Sequence, residues 1–222
     1  MNGQKLLFLA GVAMAGFLDF AVGALLAAVI GKLMDVPMNV WYLVIGGFLG
    51  QSPDLVEMAK ARLKGKQALA NGHHESWDHW PMFMMALGTT LGLIIGGGYW
   101  GILIFLCLLF HFHHDMEIGN SGGIAFFAPF DFRYFAWRRG FYDPKTSAMY
   151  KPETELDPWI QRNWLQSSDM SAIEIQLGGM ALGIACGIAI DTTLAWRCGI
   201  ILFTFFLCWA GANIVWSLAK KN

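Results

Sequence analysis

The chain has 222 residues, 56% of them hydrophobic and only 14% charged, with a mean hydropathy of +0.47 and a formal net charge of -1. A water-soluble domain carries about 25% charged residues, so the composition excludes a domain solvated on every side and points to one integral membrane domain over residues 1–222. The near-neutral balance also excludes the basic face of a nucleic-acid binder.

In chain order, residues 6–31 are almost continuously apolar, long enough for a helix of about 20 residues to cross a bilayer, with Asp19 inside the run. A cleaved signal sequence is the weaker reading, because the run continues past Ala13-Met14-Ala15, where cleavage would fall. A second apolar run, 38–50, closes at Gln51-Ser52-Pro53-Asp54, and a polar helix follows from Glu57 to Ala70, carrying Lys60, Arg62, Lys64 and Lys66. Residues 81–96 and 99–110 are two further apolar runs joined by Gly96-Gly97-Gly98, which predicts a helical hairpin. From about 112 to 171 aromatic and basic residues alternate, as in Tyr134-Phe135-Ala136-Trp137-Arg138-Arg139, the composition of an interfacial or cytoplasmic segment at the headgroup layer. Apolar runs at about 172–190 and 194–218 complete the expectation of an all-α, polytopic membrane protein with about six apolar helices in hairpins. Cys107, Cys186, Cys198 and Cys208 lie singly in these runs, without metal-site or redox spacing, and read as packing residues.

Six crossings would put 13 of the 15 Lys and Arg residues on one side, leaving Lys32 and Arg197 opposite. The positive-inside rule then makes that side, with both termini, cytoplasmic.

All six histidines fall between residues 73 and 114, in two groups that flank the expected hairpin: His73, His74 and His79 before it, His111, His113 and His114 after it. Counted from the far-side turns, near residue 35 and at Gly97, Asp19, Asp54, His79, His111 and Asp115 all lie on the order of 20 to 28 Å from the far face at the helical rise. Ionisable groups inside a membrane are costly and mark function by default, and several at one depth on different segments are most simply explained by a shared cation. His111 and Asp115, four apart, share a helix face, with His114 beside them. Imidazoles with carboxylates suit a divalent cation, zinc first, with manganese or iron as alternatives.

These motifs resemble the bacterial inner-membrane metal-dependent hydrolase family once described as LexA-binding, itself related by motif to zinc-dependent phospholipase C. The resemblance lies in Asp19 to Gly23, in Pro53-Asp54-Leu55-Val56-Glu57, in the spacing of His74 and His79, in His111 with Asp115 followed by Gly122 and Pro129, and in Ser171-Ala172-Ile173-Glu174. It covers about residues 18–185. The family has His where Asp19 stands, Arg where Glu75 stands and Thr where Asp78 stands, and Val56 replaces an Asp.

The resemblance implies a hydrolase in the bacterial inner membrane, with Asp19, Asp54, Glu57, His74, His79, His111 and Asp115 as metal ligands. Asp54, Glu75 and Asp78 are the expected catalytic carboxylates. The substrate it implies is a phosphoester or a lipid-linked molecule, drawn from membrane lipid at the cytoplasmic face. Two other readings stay open: a non-catalytic membrane scaffold or partner subunit retaining a degenerate metal site, and an enzyme like the di-iron desaturases and hydroxylases, whose histidine boxes also sit at the ends of membrane hairpins.

Overall fold

A computed structural model describes residues 16–64, 76–116, 123–137, 140–143, 168–190 and 193. Helix α1 is Phe17–Leu33, α2 Val40–Gly50, α3 Ser52–Lys64, α4 Pro81–Asp115 and α5 Ser168–Ile190; strands β1, Tyr134–Ala136, and β2, Gly140–Tyr142, lie between α4 and α5. A single 3-10 turn, Trp77–His79, leads into α4.

The expectation of an all-α protein with about six membrane crossings is not what the described residues form. They hold five helices and an antiparallel strand pair, and one of the helices, Pro81–Asp115, has the length and apolar composition to cross a membrane, though a non-helical Gly97 divides it into two arms. Counting apolar runs as crossings fails for identifiable reasons. The run 38–50 yields an 11-residue helix, on the order of 16 Å at the helical rise and about half a hydrocarbon core. It stops because Ser52, whose hydroxyl bonds the Leu49 carbonyl at 2.7 Å, and Pro53 begin a new helix. The aromatic stretch read as a headgroup layer pairs instead as strands, Tyr134 opposite Tyr142, Phe135 opposite Phe141 and Ala136 opposite Gly140. The expected spans at 194–218 and over the first 15 residues lie outside the described residues.

Helix α4 is folded back on itself. Gly97 has φ 74° and ψ −163°, a non-helical conformation inside the helix that L side chains resist and glycine adopts without cost. The two arms then lie against each other. A Cβ placed on Gly88 would stand 3.0 Å from the Leu108 side chain, and one on Gly101 2.6 Å from that of Leu93. Residues 20 apart in a straight helix would be about 30 Å apart. The reversal falls within the Gly96-Gly97-Gly98 run, and it returns His111 to the level of His79, with ring centroids 5.8 Å apart.

Helix α1 is the central rod, packed on α2, α4 and α5. Ala21, Ala24, Ala27 and Ala28 are fully buried along it, and small side chains let neighbouring backbones approach as in membrane helix pairs. At Gly23 a Cβ would stand 2.2 Å from the Gly46 carbonyl oxygen, and at Gly50 one would stand 2.2 Å from that of Asp19. This contact brings the Asp19 backbone to the C-terminal end of α2. Away from the core, Leu91, Leu93, Ile94 and Ile95 near the hairpin tip and Val40, Trp41 and Phe48 on α2 are exposed, an apolar surface suited to lipid.

Candidate metal centre

Three elements bring four ionisable side chains to the open end of the hairpin. Asp54 comes from the first turn of α3, His79 from the 3-10 turn, and His111 and Asp115 from the last turns of α4. Their atoms form a closed ring in which imidazole and carboxylate alternate. His79 Nε2 stands 3.6 Å from Asp54 Oδ1 and 4.0 Å from Asp115 Oδ2. His111 Nε2 stands 3.8 Å from Asp54 Oδ1 and 3.4 Å from Asp115 Oδ2. Asp54, His79 and His111 each bring one ligand atom within 4.8 Å of the other two.

Hydrogen bonds are shorter than most of these separations. A cation with a shell of about 2.1 Å radius holds neighbouring ligand atoms about 3.0 to 3.4 Å apart, according to its geometry. The ring is a few tenths of an ångström wider and needs only that contraction. His111 shows the same deficit from within. It is 1% exposed, and both of its ring nitrogens are buried without a hydrogen-bond partner among the described residues. Leaving such a group unsatisfied costs about 1–3 kcal/mol, which a metal bond at Nε2 would offset. Two imidazoles and two carboxylates suit zinc, manganese or iron.

Behind each imidazole lies a second carboxylate. Asp78 Oδ2 is 3.9 Å from His79 Nδ1, and Asp19 Oδ2 is 3.6 Å from His111 Nδ1 and 3.3 Å from His114 Nδ1. A carboxylate bonded to the far nitrogen of a metal-bound imidazole fixes the tautomer that leaves Nε2 for the metal and raises its basicity; here Asp78 and Asp19 stand just outside hydrogen-bond range of His79 and His111, placed to close on them. Asp19, expected as a ligand, is thus placed on the outer side of His111, away from the ring.

Glu57 and Asp78 belong to a neighbouring group. The Lys60 ammonium lies 2.7 Å from Glu57 Oε1, 2.6 Å from Asp78 Oδ1 and 3.0 Å from Ser76 Oγ. Ser76 Oγ also donates toward Glu57 Oε1 and Asp78 Oδ1. Burial alone would lower the Lys60 pKa, but its bonds to Asp78 and Glu57 outweigh that and hold it above the ordinary 10.5. Burial would likewise raise Asp78, yet the bonds from Lys60 and Ser76 keep it below the ordinary 3.8. Asp78 is a fixed, charged carboxylate.

Comparison with protein-family models, curated proteins and solved structures returns no match. The site therefore stands on its own geometry.

Of the sequence-predicted residues, Asp54, His79, His111 and Asp115 come together in the ring; Asp19 and Asp78 back it; Glu57 pairs with Lys60. His74 and Glu75 lie outside the described residues. His113 packs against Trp137 with centroids 5.2 Å apart. Sequence reasoning missed Lys60 and Ser76. The available signal was Lys60 three residues after Glu57, one turn along the same helix face.

Proposed function

We propose that this chain is a membrane-bound, metal-dependent hydrolase, holding a divalent cation, zinc by preference, among Asp54, His79, His111 and Asp115. The observation that carries the reading is His111, a buried imidazole with no hydrogen-bond partner for either nitrogen among the described residues, whose Nε2 faces two carboxylate oxygens at 3.4 and 3.8 Å. A bound divalent cation supplies a water whose pKa is lowered to about 7. The protein does the rest. Asp78 and Asp19 would take the far nitrogens of His79 and His111 as the ring closes on the ion, and Lys60 holds the other oxygen of Asp78. Asp54, with 34% of its side chain exposed against 1% or less for the two histidines, is the edge at which water and substrate enter.

A phosphoester or lipid-linked substrate fits the surroundings. An apolar cleft of about 660 Å³ lies between α1, the last turns of α4 and the strand pair, lined by Val22, Leu26, Phe110, His113, Phe135 and Trp137 among others. His113 adjoins His114, and Val22 is one turn from Asp19, so the cleft runs along the outer side of the helix turns that carry the site. With the apolar hairpin in the bilayer, this end lies at the cytoplasmic face of a bacterial inner membrane, where Lys60 and Arg133 also sit, in accord with the positive-inside rule.

Metal analysis by mass spectrometry on detergent-purified protein tests the reading, alongside assays on phosphoester and lipid-phosphate substrates. Zinc or manganese lost together with turnover in His111→Ala supports it; a metal-free wild type, or turnover retained in that variant, overturns it.

A further inference from the structure

We propose that Lys60 is a resident cation: its ammonium occupies a second cation position beside the ring, so that the chain binds one metal ion where its ligand set would otherwise take two. The inference rests on the proposed function only for the first of these ions.

Two features of the second group are those of a cation site. The acceptors of its ammonium are all oxygens, two from buried carboxylates and one from a hydroxyl, and they converge on one point from α3 and from the turn before α4. Oxygen sets of this kind hold hard divalent cations. Independently of the lysine, Glu57, Asp78 and His79 each bring one ligand atom within 4.8 Å of the other two, the same convergence as Asp54, His79 and His111. His79 is common to both groups, and Asp78 links them, with Oδ1 on Lys60 and Oδ2 toward His79 Nδ1.

The lysine fits the part of a plug. Its side chain is 25% exposed while those of its partners Glu57 and Asp78 are 4% and 0% exposed, so the stem comes in from the surface and only its tip reaches the acids. The Trp77 ring lies 5.7 Å from the ammonium and covers it on another side. Two carboxylates against one ammonium leave the group a negative charge in excess. Taking the ammonium away would leave two buried carboxylates, a hydroxyl and an opening to solution, and a divalent ion would satisfy both charges at once.

The test is manganese stoichiometry on the full-length, detergent-purified protein after equilibrium dialysis, with bound ion counted by mass spectrometry and its surroundings read by electron paramagnetic resonance. Wild type and Lys60→Arg are expected to hold one equivalent, Lys60→Ala two, and the double variant Lys60→Ala with Glu57→Gln one. A count in Lys60→Ala no higher than that of wild type overturns the inference, as does an extra equivalent that survives Glu57→Gln. Should Lys60→Ala be unfolded when purified without metal, its recovery in manganese supports the inference and its failure under both conditions overturns it. A wild type without metal and a Lys60→Ala variant with one equivalent would remove the hydrolase reading and leave the resident cation standing.

Discussion

Two groups of buried polar side chains adjoin at the open end of the hairpin, and they differ in spacing. Around Lys60 the partners close to between 2.6 and 3.0 Å. In the Asp54, His79, Asp115 and His111 ring they stand off at 3.4 to 4.0 Å. Both draw acids to one point, and around Lys60 a cation of the chain's own fills it. The difference teaches that carboxylates contract onto a charge that the sequence places among them, whereas the ring keeps a spacing of ligand atoms that would close on an added ion.

The sharpest way to break this comparison is to remove the ring's central imidazole. His111→Ala is expected to weaken zinc binding by more than about 100-fold, beyond the 10- to 100-fold cost typical of losing an outer partner. Competition with a chelating dye measures it. Unchanged affinity would mean that the wide spacing has some other origin than an absent cation.

The outer carboxylates come next. Asp19→Asn keeps the shape beside His111 and His114 but removes the charge, and is expected to weaken zinc about 10- to 100-fold with the stoichiometry unchanged. The same dye titration, with ion counting, separates an outer role from a ligand role: loss of the metal altogether would place Asp19 in the first sphere.

Part of this was legible in the sequence. The glycine run at 96–98 located the reversal, because a left-handed φ is something only glycine adopts freely, and counting residues from it put His79 and His111 at one height. The His111 and Asp115 pair was legible from helical spacing alone. Depth, however, says nothing about azimuth. Asp19 is at the right height but faces Nδ1 of His111, an orientation set by α1 and α2 touching through Gly23, Gly46 and Gly50. Lys60 was counted only as surface charge, because its partners Ser76 and Asp78 lie 16 and 18 residues further along the chain. The crossing count failed where hydropathy could not see Ser52 and Pro53 restarting the helix or aromatics pairing into strands.

A smaller effect tests whether the two groups depend on the reversal. Gly97→Ala meets nothing within 4 Å, so its cost is conformational: φ 74° with ψ −163° is a region that essentially only glycine occupies, and holding alanine there costs about 1–3 kcal/mol. It is expected to lower Tm by a few degrees while zinc affinity in the folded protein is unchanged. A fall in affinity larger than the fall in stability would show that the ring is held open by the hairpin geometry rather than by its own charges.

The smallest effect is the pH dependence of the group that already holds its cation. With Lys60 held above 10.5 and Asp78 below 3.8, the signs are opposite. The stability contributed by Lys60 is full below about 10.5 and is lost as pH rises through its higher folded value. That contributed by Asp78 is full above about 3.8 and is lost as pH falls through its lower folded value. Lys60→Met removes the ammonium and keeps most of the stem. In chelator, so that no ion replaces the charge, the Tm difference between wild type and Lys60→Met is expected to stay level between about pH 5 and 9 and to narrow on both sides. Because Lys60 is a quarter exposed and screened by solvent, the level difference is expected to be small, a few degrees at most. A difference that persists unchanged through acid would assign the contribution to the packing of the lysine stem against Trp77. The contrast between the two groups would then be one of shape and not of charge.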